Sequence, residues 1–96
     1  MSGKDRAHYL ICYDVSDDRN RTRICNMLLD YGERLQFSVF EADLSPEDLA
    51  DILERSRSYI ANGDSLRIYP LCRSCAAGVH RLGRDTYHDP TSARIV

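Results

Sequence analysis

Two segments with the apolar period of helices interrupt a series of strand-like segments, all within a chain of 96 residues. That length suits one hydrophobic core and is too short for two independent ones. Strands that alternate with helices around a single core indicate an α+β sandwich with the helices on one face of a sheet. The other face is then left open, and a domain of this size buries only about two-thirds of its unfolded surface. A second copy covering that face would add stability, so oligomerisation is expected.

The first strand reads from His8 to Val15 (HYLICYDV) and ends at Ser16, Asp17 and Asp18. It carries one carboxylate, Asp14. Ile24, Met27, Leu28 and Tyr31 then fall on one helical face, with Ser16 or Asp17 as N-cap and Gly32 as the C-terminal stop. Arg34 to Leu44 alternates as a strand and is long enough to hold two short strands around a kink. Ser45-Pro46-Glu47-Asp48 supplies a cap, a proline at the first helical position and acidic residues at the positive helix end. The second helix would bury Leu49, Ile52, Leu53, Tyr59 and Ile60. Asn62-Gly63-Asp64 turns the chain into a strand at Ser65 to Leu71, whose end Pro70 weakens. A short strand is expected at Val79 to Leu82, and Ala93 to Val96 is a candidate docking strand.

Composition narrows the function classes. Hydrophobic residues make up 43% and charged residues 29%, which excludes wholesale disorder. No apolar run approaches a membrane span, and Met1 to Ala7 lacks the apolar stretch of a signal peptide, so a cytoplasmic protein without membrane association is expected. Cys12, Cys25, Cys72 and Cys75 then read as free thiols. Net charge is −2, so any nucleic-acid binding has to come from a local basic patch. Arg19, Arg21 and Arg23, with Arg34, form the densest such cluster, although Asp17 and Asp18 could simply pair with them.

Asp14 would stand at the C-terminal rim of its strand, where open sheets gather ligands, or would serve as a turn residue. Cys72-Arg73-Ser74-Cys75 could be half of a zinc site, completed by His80 and His88, or a redox pair. The three histidines, His8, His80 and His88, receive no catalytic role.

The strings Tyr13-Asp14-Val15-Ser16-Asp17-Asp18-Arg19-Asn20-Arg21 and Tyr31-Gly32-Glu33-Arg34-Leu35-Gln36-Phe37-Ser38-Val39-Phe40-Glu41 resemble the second of the two core CRISPR-associated proteins, the Cas-two family. The likeness runs over about residues 8 to 82. It implies a ferredoxin-like βαββαβ fold with an extra C-terminal strand, a break near Ser38, and a homodimer. It further implies that Asp14 faces its symmetry mate and shares a divalent metal, Mg²⁺ or alternatively Mn²⁺, for endonuclease chemistry on RNA or double-stranded DNA. Matching positions make Arg21, Arg23 and Arg34 phosphate contacts, with Arg19 beside them, and put Tyr13 and Phe40 near the cleft, where packing is the ordinary role of such rings. The implied partner is the CRISPR integrase, in the machinery of spacer acquisition. Asn20 departs from a position that is often basic in relatives, and residues 83–96 match no motif. Two readings follow: a metal-dependent nuclease, or an adaptor that holds DNA and integrase. An unrelated ferredoxin-like ligand-binding module is a third, which these motifs disfavour.

Overall fold

The computed structural model of the protein describes residues 6–80, 82 and 83. Strand β1 runs over Ala7–Asp14, helix α1 over Asp18–Leu29, β2 over Gly32–Gln36 and β3 over Val39–Leu44. Helix α2 (Pro46–Ser56) continues into a single 3₁₀ turn at Arg57–Tyr59, and β4 (Ser65–Leu71) is followed by a short helix, α3 (Arg73–Ala77). The sheet order is β2-β3-β1-β4 with every neighbouring pair antiparallel. This is the ferredoxin-like βαββαβ arrangement, and the long Arg34 to Leu44 stretch breaks at Phe37-Ser38.

Alternation along β1 decides which side chain goes where. Tyr9, Ile11 and Tyr13 face the helices. Ile11 lies between Phe40 and Ile68, and it joins Ile24, Leu28, Leu44 and Ile52 in a core whose members are fully enclosed. His8, Leu10, Cys12 and Asp14 face the other way, in register with Asp43, Glu41 and Val39 of β3 and with Leu71, Tyr69, Arg67 and Ser65 of β4. That second face is the open one. It is a mixture of half-buried apolar and exposed polar side chains, as an antiparallel sheet with one uncovered face should be.

The helix ends follow from local chemistry. Asp17 caps α1 by accepting the Asn20 amide. Ser45 and Asp48 close a reciprocal capping box on α2 with Pro46 in its first turn. Gly32, expected to stop α1, has another task. Helix α1 ends at Leu29 with Asp30 as its C-cap, and Gly32 opens β2, where a Cβ would lie 2.2 Å from the Glu41 carbonyl oxygen. Close approach of two backbones, not a left-handed cap, is why glycine stands there.

Other expectations are corrected. Leu53 is 45% exposed, because Ile52 takes the core-facing position of its turn. Val79, His80 and Leu82 form no strand. Cys72 instead caps α3, Gly78 ends it, and the Val79 amide donates back to the Ala76 carbonyl, which removes it from any ladder. The C-terminal docking strand lies outside the described residues, as does His88.

Candidate functional site

Asp14 is the last residue of β1 and is exposed on the open face opposite Ser65. Its carboxylate accepts no hydrogen bond among the described residues. It borders a shallow hollow of about 380 Å³, together with Cys12, Ser65, Arg67 and Tyr69. The Arg67 guanidinium donates to the Tyr69 phenol oxygen at 3.4 Å, which raises the Arg67 pKa and ties the two side chains together.

The loop that follows Asp14 is held from two sides. The Asp64 carboxylate accepts the Ser16 amide at 3.1 Å, the Ser16 hydroxyl at 3.3 Å and the Ala61 amide at 3.0 Å. Those amides, Ala61 first, hold the Asp64 carboxyl below its usual value. From the helix side, Arg21 donates to the Val15 carbonyl at 2.8 Å and the Ser16 carbonyl at 3.3 Å, and pairs with Asp18.

Arg21 also belongs to a second feature, a groove of about 460 Å³ between α1 and the β2–β3 turn. Arg34 enters it from β2, donating through Nε at 3.2 Å and Nη2 at 2.8 Å to the Phe37 carbonyl. Both guanidinium groups lie over the exposed Phe37 ring, at 5.3 Å for Arg34 and 5.9 Å for Arg21. Thr22 and Asn26 complete the helical wall. Arg19 and Arg23 are exposed one turn apart on α1 and are not part of this lining.

The structure therefore divides the residues singled out in the sequence. Arg21 and Arg34 come together; Asp14 stands on the opposite face of the sheet. Tyr13 is 4% exposed, with its ring 6.3 Å from that of Phe40 in the core and its phenol reaching the groove 3.5 Å from the Phe37 carbonyl. Burial, with Cys25 adding to it, pushes the Tyr13 phenol up to about 12. Phe40 is fully enclosed, so its ring packs the core. Among the described residues, no group of three or more His, Cys, Asp or Glu side chains gathers as metal ligands, so Cys72 and Cys75 find no zinc-completing partners there. The residues that sequence reasoning missed are Asp64, Ser65, Arg67, Tyr69 and Phe37. Alternation along β4 puts Ser65, Arg67 and Tyr69 on one face, but only the pairing of β4 with β1 brings that face beside Asp14.

Comparison with known proteins bears directly on this geometry. Residues 7–79 match the family model described as CRISPR associated protein Cas2. The chain belongs to the Cas2 family. A Synechocystis protein named CRISPR-associated endoribonuclease Cas2 3 is 38% identical over 89 residues, covering 92% of this chain and 97% of the relative. A Thermus thermophilus protein named CRISPR-associated endonuclease Cas2 2 is 45% identical over 64 residues, covering 66% of this chain and 71% of the relative. Among solved structures, Streptococcus pyogenes Cas2 superposes with a TM-score of 0.69 at 32% identity, over 79% of this chain and 99% of that one. A chain of a partial Cas6-RT-Cas1–Cas2 complex superposes with a TM-score of 0.70 at 30% identity, over 94% of this chain and 98% of that one. The Cas2 match takes in β1 through α3, and so both the Asp14 rim and the arginine groove.

Proposed function

We propose that this chain is a spacer-acquisition subunit that dimerises through its open sheet face. It would bind nucleic-acid backbone, bridge CRISPR integrase dimers and hydrolyse phosphodiester bonds at the paired Asp14 carboxylates. The observation that carries the reading is the place of Asp14: an exposed carboxylate without a protein partner among the described residues, at the rim of the uncovered face and beside Arg67. Names of relatives support the chemistry, since they are called endoribonuclease or endonuclease. The complex containing Cas1 and Cas2 supports the partner.

Among the described residues, one protomer offers a single carboxylate in this hollow, that of Asp14, which is thin for a metal site. Two protomers offer two hard anionic oxygen donors, a set that fits Mg²⁺ or Mn²⁺. Asp14 of each copy would hold the ion, which when bound lowers the pKa of a water and offsets charge on the phosphate. The other work falls to this chain's own residues. Arg67, steadied by Tyr69, orients a phosphate beside Asp14. Asp64 and Arg21 fix the loop that aims the carboxylate. Arg34, with Arg19 and Arg23 on the exposed flank of α1, holds the backbone further along. No helix among the described residues is long and apolar enough to cross a membrane, and the proposed place of work is the cytoplasm.

A second reading, an adaptor without nuclease activity, is favoured by the lack of a histidine beside Asp14 among the described residues. His8 sits toward the far end of β1 with its ring bound to Asp43 at 2.7 Å. Cleavage of labelled single-stranded RNA and duplex DNA separates the two. Wild type with Mg²⁺ or Mn²⁺ should cut, and Asp14→Asn should cut about a hundredfold more slowly or worse, with integrase binding unchanged. If neither protein cuts while both bind integrase, the adaptor reading holds.

A further inference from the structure

The Cys72-Arg73-Ser74-Cys75 motif is not used by the functions described above. Both cysteines are exposed and free. The Cys72 sulfur accepts the Cys75 amide at 3.3 Å and lies 3.3 Å from the Ser74 hydroxyl. Residues three apart on a helical turn have Cα atoms about 5 Å apart, inside the range a disulfide spans. No third metal ligand joins the pair among the described residues.

The two sulfurs are not equivalent. Cys72 lines a hollow of about 430 Å³, together with Arg6, His8, Asp43 and Arg73, whereas Cys75 is not part of that lining. In one protomer an incoming molecule therefore meets Cys72 first, and since Arg6 is paired with Asp48 and bonded to the Asp43 carbonyl, Arg73 is the cation that favours an anionic one. We propose that Cys72 and Cys75 form a redox-active dithiol, in which Cys72 attacks a low-molecular-weight anionic disulfide and Cys75 resolves the product.

The steps balance. The Cys72 thiolate attacks one sulfur of the small disulfide, forming a mixed disulfide and expelling one small thiolate, which takes up a proton. Cys75 then loses its proton and attacks the Cys72 sulfur, forming the Cys72–Cys75 bond and expelling the second small thiol. Two protein thiols are oxidised by two electrons, and one disulfide is reduced to two thiols. Hydrogen bonds from Ser74 and Cys75 lower the Cys72 thiol to about 7, while Cys75, as donor to Cys72, is raised; this asymmetry matches the roles of attacking and resolving sulfur. The new bond would stiffen the turn that leads out of β4. This chemistry is independent of nuclease activity.

The test uses the full-length reduced protein with glutathione disulfide, quenched by acid and mapped by peptide mass spectrometry. Wild type should lose two hydrogens as a bridge between Cys72 and Cys75 and keep no adduct. Cys75→Ser should accumulate glutathione on Cys72, and Cys72→Ser should form neither product at this motif at a comparable rate. At neutral pH the thiolate gain from 9.0 to about 7, less the accompanying loss of nucleophilicity, makes Cys72 about sixfold faster than an ordinary exposed thiol. A stable adduct on wild type without the internal bridge would overturn the proposal, as would a Cys72 rate no higher than that of a model thiol peptide.

Discussion

Gly32→Ala tests whether the β2–β3 hairpin is set by backbone contact. An added Cβ would stand 2.2 Å from the Glu41 oxygen and 2.6 Å from the Ala42 Cβ. Ordinary carbon contacts need about 3.5 Å or more, so β2 must retreat by about 1 Å. It can do so only by stretching its ladder to β3 where Gly32 faces Ala42. Overpacking of this kind costs about 1–3 kcal/mol, and one lost ladder bond costs about 1 kcal/mol. The smaller freedom of alanine in the unfolded chain returns about 0.4–1 kcal/mol. Because β2 is the sheet edge and can yield outward, the net loss should be about 2–3 kcal/mol. For a domain of this size that lowers Tm by about 10–20 °C. Urea unfolding should show a lower midpoint at unchanged slope. Gly63→Ala is the comparison, since nothing stands within 4 Å there and its cost comes from a φ of +89° alone, about 1–2 kcal/mol. A Gly32→Ala protein within 0.5 kcal/mol of wild type would refute the reasoning. The displacement also carries Arg34 away from the Phe37 turn, so binding of nucleic acid should weaken with stability.

Ser56→Ala should stabilise the protein by about 1 kcal/mol in the same urea assay, because the buried Ser56 hydroxyl has no hydrogen-bond partner among the described residues. His8 should titrate above 6.5 by NMR, raised first by its hydrogen bond to Asp43, and should fall back in Asp43→Asn. Its stabilisation is complete below the unfolded value and is lost as pH rises through the folded one. Arg23→Ala, an exposed change, should flatten the salt dependence of duplex binding by about one unit of slope without loss of stability. Arg21→Ala should instead lower the urea midpoint, since its guanidinium holds the Val15 and Ser16 carbonyls.

Local chemistry was the most legible part of the sequence. The Ser45 to Asp48 cap, the Asp17 cap and the α1 stripe of Ile24, Met27 and Leu28 are decided by neighbours within a turn, and the structure has them where their residues imply; the second stripe is cut short, since α2 ends at Ser56 and leaves Tyr59 and Ile60 beyond it. Gly32 was misread because its constraint comes from Glu41 and Ala42 across the hairpin, which no local window contains. Val79 to Leu82 has the residue types of a strand, but a thiol cap three residues ahead of Cys75 draws the backbone into α3 first. The site divides the same way. Asp14 could be placed on a strand rim from β1 alone, whereas Asp64, Arg67 and Tyr69 reach its surroundings through the pairing of β1 with β4 and through a loop 48 residues further along the chain.

Alternation along one strand also explains how a chain of net charge −2 keeps an arginine-lined groove and an acidic rim apart. Tyr13 and Asp14 are adjacent, so they point to opposite faces: the phenol toward the arginine groove and the carboxylate toward the open sheet. The sheet thus separates the negative Asp14 from the positive groove, and neither neutralises the other. Their mechanical link is the loop after Asp14, gripped by Asp64 on one side and Arg21 on the other. Arg21 is therefore both a wall of the groove and a support of the carboxylate. A phosphate that pulls the Arg21 guanidinium away from the Val15 carbonyl would loosen the aim of Asp14, whereas one held by Arg34 and the Arg19 and Arg23 flank would leave it undisturbed. On the proposed reading, backbone binding and hydrolysis would in this way be separable functions of one fold, joined at the Arg21 side chain.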